Sequence, residues 1–313
     1  MTIAIAAFGL NAGLAIFRAL RACERVATGS IGGFATFAAI TDDGRAIGSV
    51  TQRGGAATAF IQGETAGVEP WPEFAAAKVA AVISSGPDRR GDLTKCIPID
   101  PLVGLVTGHR SPSTLGYNGK AMNADALARM QTGIMAADAA RAVASESPEA
   151  DCGLVCVDIA GHVGLANTER VLRRPDVANA LRRDDESGAA VGVLQNAIRP
   201  CGAVAELAAS IAIETMTSGL ATRGFVTICA GTPIVAGQED AVFCDPSGKV
   251  LRVTTSDPCL GITGSQIDGL YLASAVWLGD RLAGRTTFEP IVTIQNGHLV
   301  AFDGKNELQI GYR

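Results

Sequence analysis

A helix that feeds directly into a β-hairpin occurs twice in this sequence, and that recurrence limits the fold more than any single motif does. Residues 12–29, AGLAIFRALRACERVATG, carry Leu14, Phe17, Leu20 and Arg21 at helical spacing. The following SIGGFATFAAITDDGRAIGSV predicts a strand, a turn at Asp43-Gly44 and a returning strand. Residues 132–168 repeat the order, with a helix, a break at Pro148, a strand to Asp158, a turn at Gly161 and a second strand. Aligned, Gly13 falls on Gly133, Asp43-Gly44 near Ala160-Gly161, and Thr51 near Thr168. A looser third unit spans 203–256, where a helix over 203–219 precedes strands and a Pro246-Ser247-Gly248 turn. Spacing on the order of 100 residues is too long for a solenoid. The expected fold is α+β, with helices layered on antiparallel sheets. The loop at 63–74 and the charged connection at 173–188 are too short to separate independent domains, so a single domain over 1–313 is expected. The final stretch carries Asn296-Gly297 between two strand-like runs, the strongest short hairpin signal in the chain.

Composition narrows the function. With 48% hydrophobic and 18% charged residues, the 313-residue chain can bury a full core. A net charge of −5 with no basic run offers no electrostatic footprint for nucleic acid or a membrane surface. The expected partner is a small molecule, with a homo-oligomer expected from sheet edges that often pair. No signal segment and no spanning apolar run is visible, which points to a cytoplasmic protein whose eight cysteines are reduced. The sequence contains no CxxC pair and only three histidines, so no metal or other cofactor is expected. Cys152 and Cys156 lie on one face of a strand and read as small buried hydrophobes.

Four segments collect polar residues at strand ends. In GSIGGF, Gly32 and Gly33 can present backbone N–H groups to a developing oxyanion or simply form a tight turn. In TQRGG, Arg53 can clamp a carboxylate or lie on the surface. SSGPDRRG clusters Ser84, Ser85, Asp88 and Arg89, which is a polar site or an ordinary turn. In GLVTGHRSPS a strand is expected to end at Thr107, placing His109, Arg110 and Ser111 on a loop suited to ligand binding or proton transfer. His162 and His298 read as solvated turn residues. No GxSxG, GxGxxG or Walker pattern is present.

The segment DCGLVCVDIAGHVGLANT resembles the hairpin of asparaginase-type N-terminal nucleophile hydrolases, although that family's Thr would fall at Asp151 or Cys152, where no Thr stands. The opening TIAIAAFG is similar to the mature start of other members of the superfamily. That resemblance implies an αββα fold and a nucleophile at Thr2, exposed when Met1 is removed, with the freed α-amine, of pKa about 8, as its base. The bland alternative is that a small residue merely follows Met1. The whole chain also resembles an uncharacterised bacterial family through NAGLAIFRAL, TQRGG, SSGPDR, GLVTGHRSP and VLQNAIRP. The implied activity is hydrolysis of an amide or cyclic amide, with Thr2, His109 and Ser85 as catalytic candidates. Gly32, Gly33, Arg53, Asp88, Arg110 and Asn167 are the substrate-binding candidates. A site built from them requires all these segments to converge on one cleft. Two alternatives stand beside it: a Ser-based ring-opening amidohydrolase, for which the five lysines do not recur between repeats, and a non-catalytic protein that binds a small acid.

Overall fold

The computed structural model describes residues 2–60, 69–89, 91–218, 223–257, 265–267, 269–302 and 304–313. Part of the expected 63–74 loop and Cys259 lie outside them. The chain divides into two compact units, Met1–Gly219 and Leu220–Arg313, in place of the single domain expected.

The first unit begins with β1 (Thr2–Phe8) and α1 (Ala12–Val26), then β2 (Ala35–Ile40), β3 (Ala46–Thr51), α2 (Ala56–Ala59), α3 (Pro72–Ala76) and β4 (Val79–Ser85). A 3-10 turn over Leu93–Cys96 leads to β5 (Ile99–Asp100), β6 (Gly104–Arg110), α4 (Met122–Gln131) and α5 (Ala136–Glu146). The unit closes with β7 (Cys152–Asp158), β8 (Val163–Asn167), α6 (Glu169–Leu172), β9 (Val177–Arg183), β10 (Ala190–Asn196) and α7 (Cys201–Ser218). Both expected hairpins form, β2 with β3 and β7 with β8. The strand order is β3-β2-β4-β1-β10-β9 in a six-stranded sheet and β5-β6-β7-β8 in a four-stranded one. Every pairing in both sheets is antiparallel. The expected surface connection at 173–188 contains the edge strand β9, whose exposed side chains made it read as a loop.

Strand alternation sorts the side chains into three cores. Ile3, Ile5, Ala7, Phe37 and Val193 face α1 and α7, where Phe17, Leu20 and Ala208 meet them. Phe37, Phe60, Phe74 and Trp71 form an aromatic cluster on this side. Ala4, Ala6, Ile83 and Leu194 point the other way, against Leu105, Val155 and Val163 of the smaller sheet. On that sheet's far face Val106, Cys152, Leu154 and Cys156 pack against α4 and α5. The result is four layers in the order helices, sheet, sheet, helices.

The second unit is β-rich in its described residues: β11 (Gly224–Cys229), β12 (Thr232–Ala236), β13 (Ala241–Cys244), β14 (Val250–Thr255), β15 (Ser265–Ile267), β16 (Ala275–Leu278), β17 (Arg281–Arg285), β18 (Val292–Gln295), β19 (His298–Phe302) and β20 (Glu307–Tyr312). Its larger sheet is mixed, since β12 pairs β14 and β13 pairs β16 in parallel, where antiparallel strands were expected. The turn at Asn296-Gly297 joins β18 to β19, with both residues at positive φ as that turn requires. Of the third helix-hairpin unit expected over 203–256, the helix forms and Pro246-Ser247-Gly248 turns β13 into the antiparallel β14, but α7 ends the first unit and these strands belong to the second. Among the described residues no helix is long and apolar enough to cross a membrane.

Candidate active site

The six-stranded sheet places its polar residues at one end. Thr2 begins β1, a central strand, and its register partners are Ser85 at the end of β4 and Asn196 at the end of β10. All three continue the alternation of side chains that face the smaller sheet, and all are buried, with Thr2 only 5% exposed. A cleft of about 360 Å³ opens here, lined by Thr2, Ser85 and Arg89 and, from the other sheet's side, Arg110, Ser111 and Asp151. Phe34, Ile83, Leu93 and Pro112 supply apolar wall. Cys96 also lines it, but burial raises its thiol pKa, which keeps the sulfur protonated at neutral pH.

Asn196 was not picked out by sequence reasoning. Neither its Oδ1 nor its Nδ2 has a hydrogen-bond partner, although the residue is fully buried and is not itself in the cleft lining. Directly opposed residues on one face of an antiparallel pair hold their Cβ atoms about 5 Å apart, so the free amide sits beside the Thr2 side chain. Its signal was a polar residue ending an apolar strand, which points to a site only once the register with β1 is known.

The smaller sheet closes the same end differently. Strand β6 runs on to Arg110 instead of stopping at Thr107, so His109 lies within a strand, fully buried, and does not line the cleft. Its Nε2 lies 2.7 Å from Asn167 Oδ1, a contact that spans β7 above Gly153. A Cβ at Gly153 would stand 2.1 Å from Asn167 Oδ1 and 2.4 Å from the imidazole, so only glycine lets the pair meet. With Asn167 presenting oxygen, Nε2 donates, and Nδ1 is left as a buried acceptor without a partner. Burial lowers the His109 pKa from 6.5 to about 4, so the ring is neutral at pH 7. Arg110, at φ 65°, donates from Nε to Asp151 Oδ1 at 2.8 Å and from Nη2 to Oδ2, and this bidentate pair holds Asp151 below the usual carboxylate range.

The remaining candidates lie elsewhere. Arg53 pairs with Asp88, both side chains more than half exposed, and neither residue lines the cleft. Gly33 and Gly32 are not in the lining either. The Gly33 N–H donates to the Ser85 carbonyl at 2.9 Å and so is not free for an oxyanion. A Cβ there would fall 2.1 Å from Pro87 N, and that close approach accounts for the glycine. His162 caps its hairpin turn through Asp158, with Nδ1 to Oδ2 at 2.9 Å, and His298 is exposed at the start of β19. Cys152 and Cys156 are buried on the helix-facing side, and burial raises both thiol pKa values. No cluster of His, Cys, Asp or Glu able to hold a metal occurs among the described residues.

Residues 2–225 match the family described as a domain of unknown function, DUF6963, and the chain belongs to that family. Residues 231–307, inside the second unit, match another domain of unknown function, DUF7259. No curated protein and no solved structure matches the chain.

Proposed function

We propose that the first unit is an N-terminal nucleophile hydrolase acting on an amide or cyclic amide bond of a small molecule, with Thr2 as the nucleophile. The observation that carries this reading is the placement of Thr2. It is the first residue of a central strand, its side chain enters a cleft between two sheets, and a buried amide without a partner stands next to it. The four-layer order of helices and sheets also supports it.

Removal of Met1 leaves the Thr2 α-amine on the same residue as its hydroxyl. The amine accepts the Oγ1 proton as the oxygen attacks the carbonyl carbon, and Asn196 Nδ2 donates to the oxyanion. The protonated amine then passes that proton to the leaving nitrogen as the C–N bond breaks, which leaves an ester on Thr2. Water, deprotonated by the same amine, hydrolyses the ester; from a cyclic amide the freed amine stays tethered to the product. The Ser85 hydroxyl accepts from the Arg89 guanidinium, a group that cannot itself take a proton. Among the described residues no lysine lines the cleft, which gives the Ser-based ring-opening alternative no second group there.

Intact-mass measurement tests the first requirement, with a mass lacking Met1 expected. Thr2→Ala should then abolish turnover of any amide found and Thr2→Ser should keep part of it. Retained Met1, or an active Thr2→Ala protein, ends the reading in favour of a non-catalytic binding protein or a different nucleophile.

A further inference from the structure

Arg89 is the cleft's one lining cation that no described carboxylate engages. Arg110, the other, is engaged twice by Asp151. The Arg89 guanidinium lies 5.9 Å from the centroid of the Phe34 ring, and its Nη2 donates to Ser85 Oγ at 2.6 Å. Those two contacts place the fork but leave most of its five N–H donors unused.

The loop that carries Arg89 is held from outside the cleft. Gln52 Oε1 accepts from the Arg89 N–H at 2.9 Å, and Gln52 Nε2 donates to the Arg89 carbonyl at 3.0 Å. Next to it, the Arg53–Asp88 ion pair ties the same two segments together. TQRGG and SSGPDR, each a candidate binding motif by sequence, thus meet to present one residue. Arg89 is exposed, and these contacts fix its backbone beside the cleft while the Ser85 hydroxyl and the Phe34 ring place its guanidinium.

We infer that the cleft takes substrates bearing a carboxylate, which Arg89 binds through its unused donors while the scissile carbonyl lies at Thr2. The inference rests on the hydrolase reading for its second half only. Among the described lining residues Asp151 is the sole acidic one and is neutralised by Arg110, so these residues carry net positive charge. Ser85, on which Arg89 rests, is the direct register partner of Thr2, with Cβ atoms about 5 Å apart by strand geometry. Carboxylate and scissile carbonyl are therefore only a few bonds apart, as in N-acyl amino acids and cyclic amide acids of similar size.

The test uses N-acetylglycine, N-acetylalanine and N-acetylphenylalanine, each beside the corresponding N-acetylamino alcohol, which keeps the amide and lacks the charge. Binding is measured by calorimetry to the full chain carrying Thr2→Ala, so that turnover does not blur it. At least one acid should bind about tenfold or more tightly than its alcohol, as loss of a charge-assisted bidentate contact implies. Arg89→Ala should erase that preference, and Arg89→Lys should keep only part of it, because a point charge lacks the fork. Equal binding of acid and alcohol, a preference that survives Arg89→Ala, or no binding of any acid would overturn the inference. Turnover by the protein with Thr2 intact reports separately. Acids bound through Arg89 but never cleaved would sink the hydrolase reading and leave the carboxylate site standing, whereas neutral amides cleaved without acid preference would do the reverse.

Discussion

The two sheets of the first unit end in facing polar regions that differ in how fully their buried groups are paired. On the four-stranded sheet His109 is matched to Asn167 over Gly153, and Arg110 to Asp151 in a bidentate pair. On the six-stranded sheet the Asn196 amide is wholly unpaired beside Thr2, and no described carboxylate engages Arg89. A buried polar group without a partner costs about 1–3 kcal/mol. That cost falls on both polar atoms of the Asn196 amide, whereas on the facing sheet only His109 Nδ1 lacks a partner, so the wall opposite Thr2 is the more fully matched of the two.

The comparison makes mutations in the two regions diverge. Thr2→Ala should remove activity by a factor on the order of 10⁴ or more and cost only about 1 kcal/mol of stability, because it takes one hydroxyl and one methyl from a buried strand end. Asn196→Ala should lower kcat by about 10²–10³, the usual loss of one oxyanion donor, with stability equal or higher since an unsatisfied buried amide is gone. A variant that lost stability but not kcat would move Asn196 to the structural side.

Gly153→Ala belongs to the other region. Its methyl must displace both His109 and Asn167, so unfolding in denaturant should register a loss of about 3 kcal/mol. Rescue of folding by a second substitution that shortens Asn167, such as Asn167→Gly, would confirm that this contact carries the cost; a neutral Gly153→Ala would show that the wall is not packed as described.

His109 gives the wall a pH signature. Its folded pKa of about 4 lies below the unfolded value of 6.5, so between those values the unfolded chain binds a proton that the folded one does not. Stability from this group is complete above about 6.5 and is lost as the pH falls through 4, by about 3 kcal/mol in all. Glu24 acts in the opposite sense. Burial raises its pKa from 4.5 to about 7, so its contribution declines as pH rises through that range. The difference between the protein and His109→Gln isolates the histidine, and identical pH slopes for the two would refute its burial. The smallest effect expected is that of Arg53→Ala. Its ion pair with Asp88 is exposed, so the melting temperature should stay within error, and a modest rise in KM should appear from the looser Arg89 loop. A large fall in kcat instead would return Arg53 to the site.

Both hairpins of the first unit were legible because alternating apolar residues and glycine turns are local signals, as was Asn296-Gly297. The third unit was misread because a helix followed by strands looks alike whether or not the chain changes unit between them. His109 was recognised as unusual but placed on a loop, since Gly108 reads as a break when in fact it lets β6 approach β7 closely. Arg53 and Asp88 were each singled out as a substrate-binding candidate in separate motifs, yet their charges are spent on each other.

By itself the sequence determined the helix-hairpin order, the strand status of the opening residues and the presence of Thr2 at their head, because periodicity and turn chemistry act over a few residues. Only the tertiary structure decided which polar groups share a cleft. The register of β1 against β4 and β10 sets Ser85 and Asn196 beside Thr2, and the stacking of two sheets brings Arg110 and Asp151 across from them. Those neighbours come from parts of the chain tens to nearly two hundred residues away, and pairing at that range is settled by which faces bury together rather than by any local preference.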